Sequence, residues 1–192
     1  MILIIDNCSQ YTHLIKRNCR DLGFDAEIIN AKATLSELDK LLQNKVERII
    51  LSGGPGSVYM DPPNLSNEIC ERIKSGKLNV PLLGICYGQQ MIAHCFGAKV
   101  AKGKSAEYGF CQIELDEETG LLKEIPKSIR AWVSHFDEVK ELPKDFVKIA
   151  HSESCEIEGM RHRTKKIYSV QFHPEVWHTE HGEKIIENFL KI

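Results

Sequence analysis

No apolar run in the chain approaches the ~20 residues of a membrane-spanning helix, and the opening stretch Met1-Ile-Leu-Ile-Ile5 has no basic segment of the kind a secretory leader carries. A soluble, cytoplasmic protein is expected. Charge of one sign is also missing: 25 Lys and Arg stand against 27 Asp and Glu, for a net charge of -2. That leaves no basic field for nucleic acid, and the lysines alternate with glutamates as on an ordinary solvated surface. There is no C-x-x-C pair. The seven cysteines (8, 19, 70, 86, 95, 111 and 155) are scattered and odd in number, which argues against a disulfide framework and against a zinc ribbon. Internal repeats, low-complexity tracts and linkers are absent, so solenoids and multidomain arrays are excluded. So are G-x-x-x-x-G-K-[ST] and a helix-opening G-x-G-x-x-G, the two common phosphate-binding loops.

What is present is a chain of 192 residues, 42% hydrophobic, enough for one domain (1-192) with a full core. Residues 2-5 are continuously apolar and β-branched, as in strands buried on both faces. A helix is expected from Ser9 to Gly23, a strand over 24-30, and a helix over 34-43 with Thr34 and Glu37 as a capping box. Further expectations are a strand over 46-52, a helix over 64-75 stopped by Gly76, and a strand over 80-85. This alternation predicts an α/β fold: an open, mostly parallel sheet with helices on both faces. From Ala98 the pattern shifts to short alternating segments (98-100, 110-115, 129-134, 146-150, 155-160 and 167-172), read as antiparallel additions. A helix over 180-192 closes the chain.

The most informative stretch is Val80-Pro-Leu-Leu-Gly-Ile-Cys-Tyr-Gly-Gln-Gln-Met91, an apolar run that turns helical at Cys86. Gly84 and Gly88 flank the cysteine as G-x-C-x-G, the thiol version of a nucleophile elbow. Met91, Ile92, Cys95 and Phe96 follow at helical spacing, so Cys86 is expected at a helix N-terminus, where the dipole and free N–H groups favour negative charge on sulfur. The alternative is a buried structural cysteine, which most cysteines are. Ser52-Gly-Gly-Pro-Gly-Ser57 lies at the carboxyl end of a strand, the edge at which such sheets bind ligands. It reads as a loop of backbone donors for a developing oxyanion, or as a simple turn.

Near the other end, Ile167-Tyr-Ser-Val-Gln-Phe172 delivers His173-Pro-Glu175 at a strand end. With Pro174 between them, both side chains can project to one side, the carboxylate orienting an imidazole base that a thiol needs. A lone His-x-Glu is usually structural. A metal reading of His173, Glu175, His178 and His181 is disfavoured, because the spacing is not H-E-x-x-H and Cys86 would be left unexplained.

Gly-Ile-Cys-Tyr-Gly-Gln-Gln (84-90), Ser-Gly-Gly-Pro-Gly (52-56) and Gln-Phe-His-Pro-Glu-Val (171-176), in this order, resemble the class I, triad-type glutamine amidotransferases over essentially the whole chain. The resemblance implies a flavodoxin-like domain that hydrolyses L-glutamine and passes ammonia to a partner active site. It implies Cys86 as nucleophile, His173 as base and Glu175 as its orienter. It further implies an oxyanion hole from the backbone N–H of Gly54 and Tyr87, and glutamine contacts at Gly54, Gly56, Gln90 and the backbone around His135 and Phe136.

Within the family, Tyr87, Trp132-Val-Ser-His-Phe-Asp137 and His-Pro-Glu-Val-Trp-His-Thr (173-179) look like the glutaminase unit of GMP synthases. Phe136 departs from the Gly common in bacterial members. Glutaminases of anthranilate or aminodeoxychorismate synthase are the alternative, disfavoured at 87, 135-136 and 176. Two more are a hydrolase sharing the elbow and a non-catalytic regulatory subunit. No S-G-G-x-D-S loop is present, so the resemblance implies an ATP-pyrophosphatase partner on a separate polypeptide. ATP and magnesium are expected there, with no cofactor or metal in this chain. Asp137, His178 and Thr179 are the residues expected to meet that partner.

Overall fold

The computed structural model describes all residues, Met1–Ile192. Its elements are β1 (Ile2–Asp6), α1 (Thr12–Asp21), β2 (Ala26–Asn30), α2 (Leu35–Gln43), β3 (Arg48–Leu51), α3 (Leu65–Lys74), β4 (Leu82–Ile85), α4 (Tyr87–Cys95), β5 (Val100–Leu115), β6 (Ser128–Val139), β7 (Phe146–His151), β8 (Gly159–His162), β9 (Ile167–Val170) and α5 (Gly182–Lys191). One sheet takes all nine strands in the order β2-β1-β3-β4-β9-β8-β7-β5-β6. The strands from β2 to β9 run parallel, and those from β9 to β6 pair antiparallel. The parallel half has the 2-1-3-4 order of flavodoxin-like sheets, with β9 in fifth place.

Alternation in the apolar strands sorts the core into two layers. Ile2 and Ile4 face α1 and α5 through Ile15, Ile185 and Phe189. Leu3 and Ile5 face the opposite layer, where Leu38, Ile69, Ile73, Met91 and Ile92 of α2, α3 and α4 pack. Each side chain of this kind taken fully out of water contributes about 1.5–3 kcal/mol. The helix ends carry the expected chemistry. Thr34 accepts from Glu37 N–H while the Glu37 carboxylate accepts from Thr34 N–H, and Asn64 and Asn67 form the same reciprocal cap on α3. Gly23 and Gly76 follow α1 and α3 at positive φ.

Three expectations change. Segments 98-100 and 110-115 belong to one sixteen-residue strand, β5, whose pairing with β6 slips between Lys102 and Glu107. The polar stretch between them hid its continuity. Segment 155-160 is strand only from Gly159, because Ser152 N–H bonds to Cys155 O and closes a turn first. Finally, α4 is not one-sided: it is buried from Tyr87 to Ala93, wedged among β4, α3 and β6, and only His94 among its residues is exposed.

Candidate active site

The apolar stretch 82-85 ends where Cys86 donates its N–H to Val170 O at 2.8 Å and accepts from Gln90 N–H at 3.1 Å, the first turn of α4. A strand becomes a helix within one residue. The cost is visible in the backbone of Cys86, at φ 52° and ψ -105°, a sparsely populated region for a side chain with a Cβ and worth ~1–3 kcal/mol of strain. The two flanking glycines let the turn close. A Cβ on Gly84 would stand 2.5 Å from Gly88 O and 2.7 Å from Ile92 Cδ1, and one on Gly88 would overlap Leu51 O. The spacing G-x-C-x-G therefore records a close crossing of β4, α4 and β3.

His173 follows β9 and is fixed from several sides. Its N–H donates to Trp132 O at 2.9 Å, and its carbonyl accepts from Thr179 Oγ1 at 2.7 Å. The edge of its ring meets Tyr11 at a centroid distance of 5.0 Å. Its Nδ1 lies 2.9 Å from Glu175 Oε1, the two side chains being 4% and 0% exposed. Asn18 Nδ2 of α1 holds the Glu175 carbonyl at 3.2 Å. Burial by itself pushes the imidazole pKa down, but the Glu175 carboxylate and the facing Cys86 sulfur outweigh it and hold the value well above the ordinary one. The carboxylate behind the ring thus favours the protonated form of the imidazole.

Cys86 and His173 line one cavity of about 230 Å³ with Gly54, Pro55, Ser134 and the segment Cys8–Tyr11. Gly53 packs behind it: a Cβ there would lie 3.1 Å from His173 Cε1 and 3.6 Å from Cys86 Cβ. The Gly54 N–H makes no hydrogen bond within the chain. Tyr87 is the first residue of α4, where an N–H has no intrahelical acceptor. The Cys86 thiol is directed at Ser134 O, 3.7 Å away, and His173 Nε2 is buried without a hydrogen-bond partner. The thiol and the imidazole share a cavity but are not hydrogen-bonded.

The expected glutamine contacts divide. Gly54 lines the cavity. Gln90 is buried with its Nε2 on Asp137 O at 2.7 Å, so its amide ties α4 to β6. Gly56 faces Asp61 and lines a second cavity of about 920 Å³, which holds Asn7, Asn64 and Tyr87 but neither Cys86 nor His173. His135 turns its ring away into the sheet, and Phe136 is exposed beneath Lys102. The side chains of Gln90, His135 and Phe136 are not in the cavity lining. Cys8–Tyr11 and Ser134 are, and sequence reasoning missed both.

Two of the residues expected at a partner surface are buried. Asp137 accepts hydrogen bonds from Ser57 and Tyr59, and Thr179 bridges Trp132 and His173. They bind the loop around the cavity to the sheet. His178 is half-buried, stacked between Trp132 and Trp177, and the exposed groups around it are Trp177, Phe110 and Tyr108. His181 opens α5 at positive φ, away from any ligand set with His173.

A strained cysteine at a strand–helix elbow, a carboxylate-held histidine and a glycine loop around one small cavity have the form of a cysteine-nucleophile site. Comparison with known proteins agrees: residues 3–192 match the family model "Glutamine amidotransferase class-I". The chain belongs to the class I glutamine amidotransferase family. It is 46% identical to a glutamine-hydrolysing GMP synthase subunit of Pyrococcus abyssi, covering 100% of this chain and 98% of that protein. It is 41% identical to the protein of the same name from Methanocaldococcus jannaschii, covering 100% and 97%. Among solved structures, a Thermoplasma acidophilum protein assigned as the corresponding GMP synthase subunit superposes with a TM-score of 0.87 at 36% identity, covering 99% of this chain and 92% of that one. A Thermotoga maritima glutamine amidotransferase shares the fold, with a TM-score of 0.75 at 24% identity, covering 99% and 80%.

Proposed function

We propose that this chain is the glutaminase subunit of a two-subunit GMP synthase, one amidotransferase domain of the cytoplasm that supplies ammonia to an ATP-pyrophosphatase partner. The observation that carries the reading is the shared cavity of Cys86 and His173, with Glu175 2.9 Å behind the imidazole. Full-length similarity to subunits of that name supports the choice of acceptor. All seven cysteines are free, as suits a reducing compartment.

In this mechanism His173 takes the Cys86 proton and the thiolate attacks the side-chain amide carbon of glutamine. The oxyanion lies against the N–H groups of Gly54 and Tyr87. As the tetrahedral adduct collapses, the C–N bond breaks and His173 returns its proton to the leaving ammonia. A γ-glutamyl thioester remains. Water attacks it, His173 takes the water's proton, and glutamate leaves as the thiol is restored. Glu175 holds the imidazole and stabilises its positive form throughout. No step needs a metal or cofactor in this chain. ATP and magnesium serve the partner, which activates XMP so that ammonia converts it to GMP.

The partner seats against the aromatic face around His178. Trp177, Tyr108 and Phe110 stay exposed there, with Arg130 stacked on Phe110 at 4.6 Å. Surfaces rich in aromatic residues and Arg suit protein recognition. Glutamate release from glutamine by the chain alone, and with the pyrophosphatase subunit, XMP, ATP and magnesium, tests the whole reading. Activity that rises on XMP addition and vanishes in Cys86→Ala is expected. Response only to a chorismate-using partner would overturn the acceptor, and undiminished release by Cys86→Ala would overturn the nucleophile.

A further inference from the structure

Behind the wall of the cavity, three side chains that the mechanism does not use converge inside the sheet. Glu107 of β5 and His135 of β6 are register partners, so their side chains leave the same face of the ribbon side by side. Glu158 comes from the turn into β8 and is pinned there: its N–H donates to Ala150 O at 3.0 Å and its carbonyl accepts from Gln171 N–H at 2.7 Å. Potential ligand atoms of the three all lie within 4.8 Å of one another. His135 is 2% exposed in its side chain, Glu107 14%, and Glu158 is fully buried.

Buried polar atoms are normally satisfied, and here they are not. Both ring nitrogens of His135, Oε2 of Glu107 and Oε2 of Glu158 have no hydrogen-bond partner. Glu158 uses its other oxygen on Ser152 Oγ at 2.9 Å, and Glu107 uses its other oxygen on Ser154 Oγ. One oxygen of each carboxylate is thus oriented from behind while the second is left free. His135 Nε2 and Glu107 Oε2 are 3.2 Å apart, a bonding distance, yet the ring does not aim at the carboxylate well enough to bond it. Two atoms that are close together without bonding each other are placed as two ligands of one ion are. With metal–ligand bonds of about 2.1 Å, a 3.2 Å separation subtends roughly 100°, between tetrahedral and octahedral angles.

The geometry points to a divalent transition-metal site formed by Glu107, His135 and Glu158, separate from the chemistry at Cys86. One imidazole with two carboxylates suits zinc, cobalt or manganese, whereas magnesium and calcium favour oxygen alone. The serines behind the carboxylates supply the outer hydrogen bonds that fix ligating oxygens. The ion fastens β5, β6 and the β8 turn together. His135 adjoins Ser134, whose carbonyl meets the Cys86 thiol, so a loaded site stiffens the cavity wall. Ion binding there does not depend on glutamine being the substrate.

Cobalt(II) titration of the purified full-length chain tests it by absorption. The expected result is one ion per chain with ligand-field bands of a nitrogen–oxygen site, displaced by zinc and not by magnesium. Sulfur-to-cobalt charge-transfer bands should be absent, which separates this site from the seven thiols. Glu107→Gln, His135→Gln and Glu158→Gln should each weaken binding at least tenfold, since even outer-shell losses cost about 10–100-fold. Glu107 lies nearest the surface, so its variant keeps the comparison valid where replacing a fully buried group unfolds the chain. No binding, binding that carries thiolate charge-transfer bands, or binding unchanged in Glu107→Gln would each overturn the site.

Discussion

Replacing Glu175 by Gln keeps the size of the side chain and removes its charge at a place where charge matters. The Glu175 side chain is fully buried, and its Oε1 is 2.9 Å from His173 Nδ1. A glutamine oxygen can accept the same hydrogen bond, so the ring keeps its direction. What is lost is the attraction between carboxylate and imidazolium. For unit charges about 4 Å apart, an effective dielectric near 20 gives about 4 kcal/mol. At 1.4 kcal/mol per factor of ten, that is a fall of roughly 10²–10³ in the rate of any step that needs protonated His173. Cys86→Ala, which removes the reacting atom, should cost more.

The pH dependence has a definite sign. The folded His173 pKa lies above the ordinary histidine value, so the imidazolium is present below that raised value and is lost as pH rises through it. The same holds for the stability that the pair contributes: present at low pH, lost across the alkaline side. Without the Glu175 charge, burial dominates and the pKa falls. The alkaline limb of kcat in Glu175→Gln should therefore move to lower pH. Glutamate release measured from acid to alkaline pH, with the partner present, reads both effects. A kcat within threefold of the parent, or an alkaline limb that stays in place, would refute the orienting role.

Gly84→Ala introduces a Cβ 2.5 Å from Gly88 O, so α4 must shift off β4; overpacking of this kind costs about 1–3 kcal/mol, and displacing the nucleophile by an ångström can cost ~10²-fold in rate. A parental melting temperature and kcat together would show that the crossing is looser than its contacts imply. Trp132→Phe removes the 3.2 Å bond that indole Nε1–H donates to the Tyr11 hydroxyl oxygen while keeping the backbone contacts to His173 and Thr179. Basal glutaminase should stay within a few-fold and activation by the loaded partner should shrink; full activation would exclude this contact from the coupling.

Much of the site could be read before any fold was known, because its pieces are local. The apolar run into Cys86, the glycines on either side and the strand ending at His173 each announce themselves within a dozen residues. So does the Thr34–Glu37 cap. Cys8–Tyr11 carries no motif within its own stretch that points to a site. The signal lay in topology: with the order β2-β1-β3, the crevice opens between the carboxyl ends of β1 and β3, so the loops after both strands must line it. Glu107 and Glu158 carry no spacing signal, and Ser134 and His135 stand in Trp132-Val-Ser-His-Phe-Asp137 with no sign of which groups they face. They meet only through the pairing of β5 with β6 and the turn before β8, contacts that close late in sequence. Asp137 and Thr179 misled for a related reason: polar residues beside a motif suggest surface, yet here they satisfy buried groups around the cavity.

The free chain leaves its thiol directed at the Ser134 carbonyl rather than at His173, and the elements that fix those groups converge on Trp132. Its carbonyl holds the His173 backbone, its N–H is held by Thr179, its indole bonds Tyr11 over the imidazole, and Ser134 is two residues along the same strand. That indole packs on Phe110, Tyr108 and His178 of the aromatic face. Under the docking proposed above, the partner contacts a residue tied to both the base and the carbonyl that meets the thiol. Under the same proposal, moving Ser134 O away leaves Cys86 free to turn to His173. If the partner so docked tightens glutamine, linkage requires glutamine bound at the thiol to tighten the partner by the same factor, a reciprocity of binding and not of kcat.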